Sequence, residues 1–230
     1  MVRVAAFRAR ALAFFPQVSA GLPTGTPDLE FLAHTGKHLE DDMVHWAESM
    51  SEEWRNSKDD LPASTENASD SDACGGNRNS YTSHGHASLW IRQRALRLII
   101  NSIFIKFISV RMQTSTDQTH LLWKQNRMRG NLETISQELC ADMLYFFKGP
   151  PSSDGEIAIP DPRTSVTAEG DSVILPSLAS MLAWPLAIAV STENVPELQR
   201  KWLQGRLGTI ANSLGDAVLH DVRRRGAFVF

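Results

Sequence analysis

Histidines and acids at helical spacing are the first candidates for chemistry in this chain. His34, His38, Asp41 and His45 fall at i, i+4, i+7 and i+11, one face of a continuous helix, with Asp42 beside them. Imidazole nitrogens and a carboxylate in that order could ligate zinc, and a small all-α enzyme working from this face is one reading. Gly36 interrupts the first pair, and no glutamate stands where a His-Glu-x-x-His helix places its general base, so a solvated polar face is the simpler reading. His84-Gly85-His86 reads the same way. Nucleophile patterns are weaker still. There is no Gly-x-Ser-x-Gly elbow, and Cys140 on an apolar helical face reads as an inert core thiol. Neither a Gly-x-Gly-x-x-Gly turn after a strand nor a Gly-Lys-Ser/Thr phosphate loop occurs. Arg223-Arg224-Arg225 is a short basic cluster, a solvated helix end that could touch a partner or a phosphate. We therefore expect no catalytic, cofactor-binding or metal-ligating residue.

Composition narrows the class. The 230 residues, 42% hydrophobic and 21% charged, suit one globular domain with flexible segments rather than a wholly disordered chain. A net charge of −3 gives no bulk electrostatic reason to bind nucleic acid. Two cysteines, Cys74 and Cys140, are too few for a disulfide scaffold or a four-thiolate zinc site, and suit a reducing setting. Residues 1–28 carry Arg3, Arg8 and Arg10 and no acid before Asp28, and read as a basic N-terminal extension; a mitochondrial presequence is the alternative. The most apolar stretch, Leu89 to Val110, holds Arg92, Arg94, Arg97 and Lys106, so no membrane span is expected.

The elements that would position these residues are helical. Leu32, Leu39, Met43, Trp46, Met50 and Trp54 recur at roughly helical spacing, with Gly36 weakening the first half. Residues 56–87 are Ser-, Asn-, Asp- and Gly-rich and read as a disordered insert, because they hold too little apolar surface to offset ordering entropy. Leu96, Ile100, Ile103, Phe107 and Val110 predict the strongest helix. Leu121, Leu122 and Trp123 read as an anchor in a polar connection, and Asn131 as the cap of a helix carrying Leu132, Ile135, Leu139, Met143 and Phe146. Prolines and glycines in 149–172 predict a second flexible insert. Leu175 to Val190 is almost wholly apolar, with Pro176 near its start and Pro185 inside. The last helix has Thr192 or Asn194 as cap candidates, Pro196 in its first turn, and a stripe of Leu203, Leu207, Ile210, Leu214 and Val218. Gly205, Gly208 and Gly215 mark close packing, a break or frayed turns there. The expected fold is all-α: a single helical domain over 29–230 with disordered polar inserts at 56–87 and 149–172.

Four segments, in order, carry a family resemblance. They are Trp46-x-x-x-Met50-x-x-x-Trp54; Leu89-Trp90-Ile91-Arg92 running to Ile100 after the polar insert; Leu132 to Phe147 with Cys140-Ala141-Asp142-Met143; and Ala183-Trp184-Pro185-Leu186 followed by Pro196-Glu197-Leu198-Gln199-Arg200-Lys201-Trp202. Together they resemble the helical regulatory domain of fungal zinc-cluster (Zn2Cys6) transcription factors over roughly residues 40–225. The family's Trp-Asn pair ahead of the arginines is absent, and so are the six cysteines and the basic stretch of its DNA-binding module. The resemblance implies an all-α regulator, not an enzyme, with no cofactor. It would control a pathway's genes, a secondary-metabolite set among the options, through protein contacts or inducer sensing. It implies protein partners (the transcription machinery or a related regulator), no direct sequence-specific DNA binding, no membrane, and a nuclear or else cytoplasmic location. An inactive truncated regulator is the other alternative.

Overall fold

A computed structural model describes residues 1–20, 26–60, 72–114, 117–148, 164–166 and 172–226. The fold is all-α, with two small antiparallel hairpins added to it. The chain groups into two compact units, Met1–Met50 with Leu96–Thr134, and Ser51–Ala95 with Ile135–Phe230. The boundaries fall inside the two longest helices, α3 (His84–Thr114) and α4 (Gln118–Lys148).

In the first unit, α1 (Val2–Ser19) and α2 (Thr26–Ser49) join parts of α3 and α4. Within the expected basic extension over 1–28, Val2–Ser19 is helical and residues 21–25 lie outside the described residues. Val4, Phe7, Ala11 and Phe14 recur at i, i+3, i+7 and i+10 and are buried, so α1 packs as an amphipathic helix with Arg3 and Arg10 exposed. Helix α2 runs unbroken through Gly36, and the glycine has a packing reason. A Cβ there would stand 2.8 Å from Phe7 Cζ and 3.1 Å from Phe104 Cζ, so hydrogen alone lets α1 and α3 bring their rings against α2. A half-buried Arg97–Glu40 pair at 2.7 Å ties α3 to α2. Phe107, Ile108 and Leu121 form a cluster flanked by Phe15, Leu29, Ala33, Met112 and Met128.

The second unit begins with a 3-10 turn, Glu52–Trp54, and a hairpin in which β1 (Ser57–Asp60) pairs with β2 (Asn77–Ser80) in the register Ser57↔Ser80 to Asp60↔Asn77. The flexible insert expected over 56–87 is corrected on both sides of residues 61–71, which lie outside the described residues. Ala73, Cys74, Asn79 and Tyr81 are buried, and His84 already lies in α3. Polar side chains hold this segment through hydrogen bonds, which a count of apolar surface misses. Of the second expected insert, Thr164–Val166 (β3) and Ser172–Ile174 (β4) pair as a short hairpin, and the remainder lies outside the described residues.

Three helices complete the unit. Helix α5 (Pro176–Ser191) starts on proline and contains Pro185; Leu178, Leu182, Leu186 and Val190 are buried along it. Helix α6 (Glu197–Leu214) buries Trp202, Leu203, Leu207 and Ile210. Its N-cap is Pro196, not Thr192 or Asn194: Thr192 Oγ1 donates back to Ile188 O at 2.7 Å, and Asn194 sits at φ +67° in the preceding turn. Gly215 ends α6 in the left-handed region (φ +63°), a conformation that glycine adopts without the Cβ penalty. Asp216 then caps α7 (Ala217–Arg225), accepting from the Val218 and Leu219 amides at 2.8 and 3.2 Å.

Other expectations shift at the residue level. Helix α4 starts at Gln118 rather than at Asn131, because its polar first turns form an exposed face. Leu122, Trp123 and Val218 are exposed, leaving Leu121 as the buried member of its trio and the α6 stripe one residue shorter. The exposed Trp123 carries the Arg127 guanidinium 5.7 Å from its ring centre. Trp90 and Trp202 are buried core anchors, whereas Trp184 is half-buried.

Candidate binding site

The residues singled out for metal chemistry do not converge. His34, His38, Asp41 and His45 are exposed on α2. The rings of His34 and His38 meet edge to face at 4.6 Å, Lys37 Nζ holds Asp41 at 2.5 Å, and Arg3 holds Asp42 at 2.7 Å. Among the described residues no group of three or more His, Cys, Asp or Glu could hold a metal ion. His84 and His86, expected in a disordered stretch, are packed instead. His84 lies against Tyr145 and Phe146, while His86 stacks on Trp54 at 3.9 Å and shares a hydrogen bond with Thr82.

The strongest electrostatics in the second unit are buried. Arg94 on α3 donates to Asp142 Oδ2 on α4 at 2.6 Å and to Glu138 Oε2 at 3.2 Å. Asn79 Nδ2 donates to Asp142 Oδ1 at 2.6 Å, and the Tyr81 hydroxyl donates to the same oxygen. Burial raises the Asp142 carboxyl to about 6, against the pull of Arg94. Burial works against the Arg94 charge, but Asp142, Tyr81 and Glu138 together outweigh it and hold the guanidinium above its ordinary range. Burial first, and Asp142 second, push the Tyr81 phenol well up. Every partner in this cluster belongs to the protein, and the cluster fastens the β1–β2 hairpin to α3 and α4. Composition could not find it. An arginine and an aspartate among buried positions of the most apolar helices were the available signal. Nearby, Cys74 and Cys140 are both buried and neighbour each other, although they lie far apart in sequence. Burial first, and then Cys74, raise the Cys140 thiol well above its ordinary value.

An open site lies between α6 and α7. Lys201, Gln204, Gly205, His220, Arg223 and Arg224 line a cleft of about 620 Å³. Among the described residues the lining contains donors and cations and no acid. Arg224 and Arg225 are held from the side by Asp221 at 2.8 and 2.9 Å, and Arg224 foremost lowers that carboxyl. Lys201 is 3.5 Å from Glu197 on the solvent face. Arg223 forms no ion pair among the described residues. Its guanidinium lies flat on Gly208, where a Cβ would come within 2.7 Å of Nη1 and 2.8 Å of Cζ. A Cβ at Gly205 would meet nothing within 4 Å, so that glycine opens the cleft floor. The Arg223–Arg225 run was legible in the sequence; Lys201, Gln204 and His220 were not, because the turn at Gly215 is what brings α7 beside α6. Comparison with family models, with curated proteins and with solved structures finds no match to this chain.

Proposed function

We propose that this chain is a transcription-regulator-like protein of the fungal zinc-cluster type, controlling a pathway's genes through protein contacts or inducer sensing, without its own DNA-binding module. The reading comes from the ordered helical segments of the sequence. The observation that supports it is the α6–α7 cleft, a cation-lined pocket of about 620 Å³ that starts at Lys201 in the last of those segments and continues beyond it to Arg224. A secondary-metabolite gene set is the target class we favour. Its partners are the transcription machinery or a related regulator, and its location is the nucleus, with the cytoplasm as the alternative. These 230 residues hold two cysteines, too few for the six-thiolate module that reads DNA in that family.

Deleting the gene, profiling transcripts and restoring the wild-type chain tests the role. A coordinated gene set that falls on deletion and recovers on restoration supports it; an unchanged profile across inducing conditions refutes it. In vitro, the purified zinc-supplied protein should show no preference for one duplex over scrambled competitor at physiological salt. Selective binding tighter than about micromolar, where non-specific association begins, would refute the partner-mediated route.

A further inference from the structure

We propose that the α6–α7 cleft binds a small organic polyphosphate, a ligand carrying two or more phosphate groups on a compact body. The proposal rests on reading this cleft as a ligand site, not on the transcriptional role. Charge is the first argument. Lys201 and Gln204 face His220, Arg223 and Arg224 across the cleft, and among the described residues no carboxylate lines it. A phosphate carries roughly −1.5 to −2 at neutral pH, so two of them match the three cations Lys201, Arg223 and Arg224, two of which also touch Glu197 and Asp221 outside the lining. Size agrees. The volume of about 620 Å³ lies well inside the span of small-molecule pockets, roughly 300–1,000 Å³, and exceeds what one tetrahedral anion fills.

The two glycines are the second argument. Arginines in the last turn of α7 also complement the helix dipole, which by itself would explain cations there. It does not explain Gly208, whose missing side chain lets the Arg223 guanidinium lie on the α6 backbone. A guanidinium so seated gives up less freedom when its planar fork meets phosphate oxygens. Nor does the dipole explain Gly205, which costs helix stability on an exposed turn and whose Cβ position is open space. Both are accounted for if the groove has to stay open and its arginine stay seated.

The test uses the full chain and isothermal titration with sodium tripolyphosphate, pyrophosphate and phosphate at low salt. Saturable one-to-one binding of tripolyphosphate is expected, at least about tenfold tighter than phosphate, the margin that 1.4 kcal/mol provides. Arg223→Ala should weaken it by a similar factor. Gly205→Leu should abolish it by filling the cleft, with all charges retained and the ligand-free melting temperature equal to or above the parent's. Tripolyphosphate binding Gly205→Leu as well as wild type would reduce the effect to diffuse counterion attraction and overturn the proposal. So would the absence of saturable binding up to millimolar ligand. A 20-base-pair duplex that displaces tripolyphosphate at equal phosphate concentration would reassign the surface to nucleic acid and overturn it too. Transcript profiles are unaffected by these outcomes, so the ligand and the regulatory role can fail separately.

Discussion

Replacing Gly36 by alanine should destabilise the protein, whereas the same change at Gly130 should stabilise it. Both glycines lie inside helices of the first unit, so both gain the helical preference of alanine, about 0.8–1 kcal/mol. Gly130 collects this gain in full, since a Cβ there meets nothing within 4 Å. At Gly36 the new methyl would stand 2.8 Å from Phe7 Cζ and 3.1–3.2 Å from two Phe104 ring carbons. Ordinary carbon contacts begin near 3.5 Å, so two rings must give way by several tenths of an ångström. Phe7 is buried, so its ring has little room in which to give. Overpacking of this kind costs about 1–3 kcal/mol, which exceeds the propensity gain and leaves a net loss of about 1 kcal/mol. The two variants should therefore differ by about 2 kcal/mol, or about 4–8 °C in melting temperature for a chain of this size. Urea and thermal unfolding of the two variants beside wild type measure this directly. Equal upward shifts would refute the close approach of Phe7 and Phe104 to α2.

Three further outcomes follow from the second unit. Tyr81→Phe removes a hydrogen bond to a buried carboxylate and should cost about 1.5–3 kcal/mol in denaturant unfolding; a change within error would mean that the hairpin is not fastened through Asp142. Asp142 has a folded pKa of about 6, above the ordinary 3.8, so its contribution to stability is fully present below about pH 4 and lost as pH rises through 6. The unfolding free energy of wild type minus that of Asp142→Asn should accordingly fall between pH 4 and 7, and a rise would show that the carboxylate is favoured inside the fold. Cys74 and Cys140 are both buried, and the Cys140 thiol is shifted towards its neutral form. Native protein should thus leave both thiols unlabelled by iodoacetamide at neutral pH over times in which urea-unfolded protein is fully labelled; fast native labelling would contradict the burial.

How much of this was legible depends on what holds each segment. Helices α3, α5 and α6 and the second half of α4 announce themselves because their apolar residues recur with the helical period and bury a continuous face. Helix α1 carried the same period in Val4, Phe7, Ala11 and Phe14, but its arginines and the absence of acids read as an extension. The β1–β2 hairpin was illegible for a deeper reason. Its order depends on Asn79 and Tyr81 reaching Asp142, more than sixty positions away, and no local composition encodes that partner. The cleft was half legible. Arg223–Arg225 and the glycines of α6 were conspicuous in the sequence, yet their joint meaning needs the left-handed turn at Gly215.

That turn also sets what occupancy of the cleft would do. Helix α7 has nine residues, too few to persist alone in water. It is held by the Asp216 cap and by Leu219 and Val222, which are buried. Its outer face consists of cations that repel one another, relieved in part by Asp221. A ligand bridging Lys201 on α6 and Arg223 on α7 removes that repulsion and adds attachments between the helices. Binding to the folded protein alone stabilises it by RT ln(1 + [L]/Kd), about 2.7 kcal/mol at a hundredfold excess over Kd. For a helix with two buried anchors an increment of this size is large. On this reading an anion in the cleft acts by fastening α7 to α6.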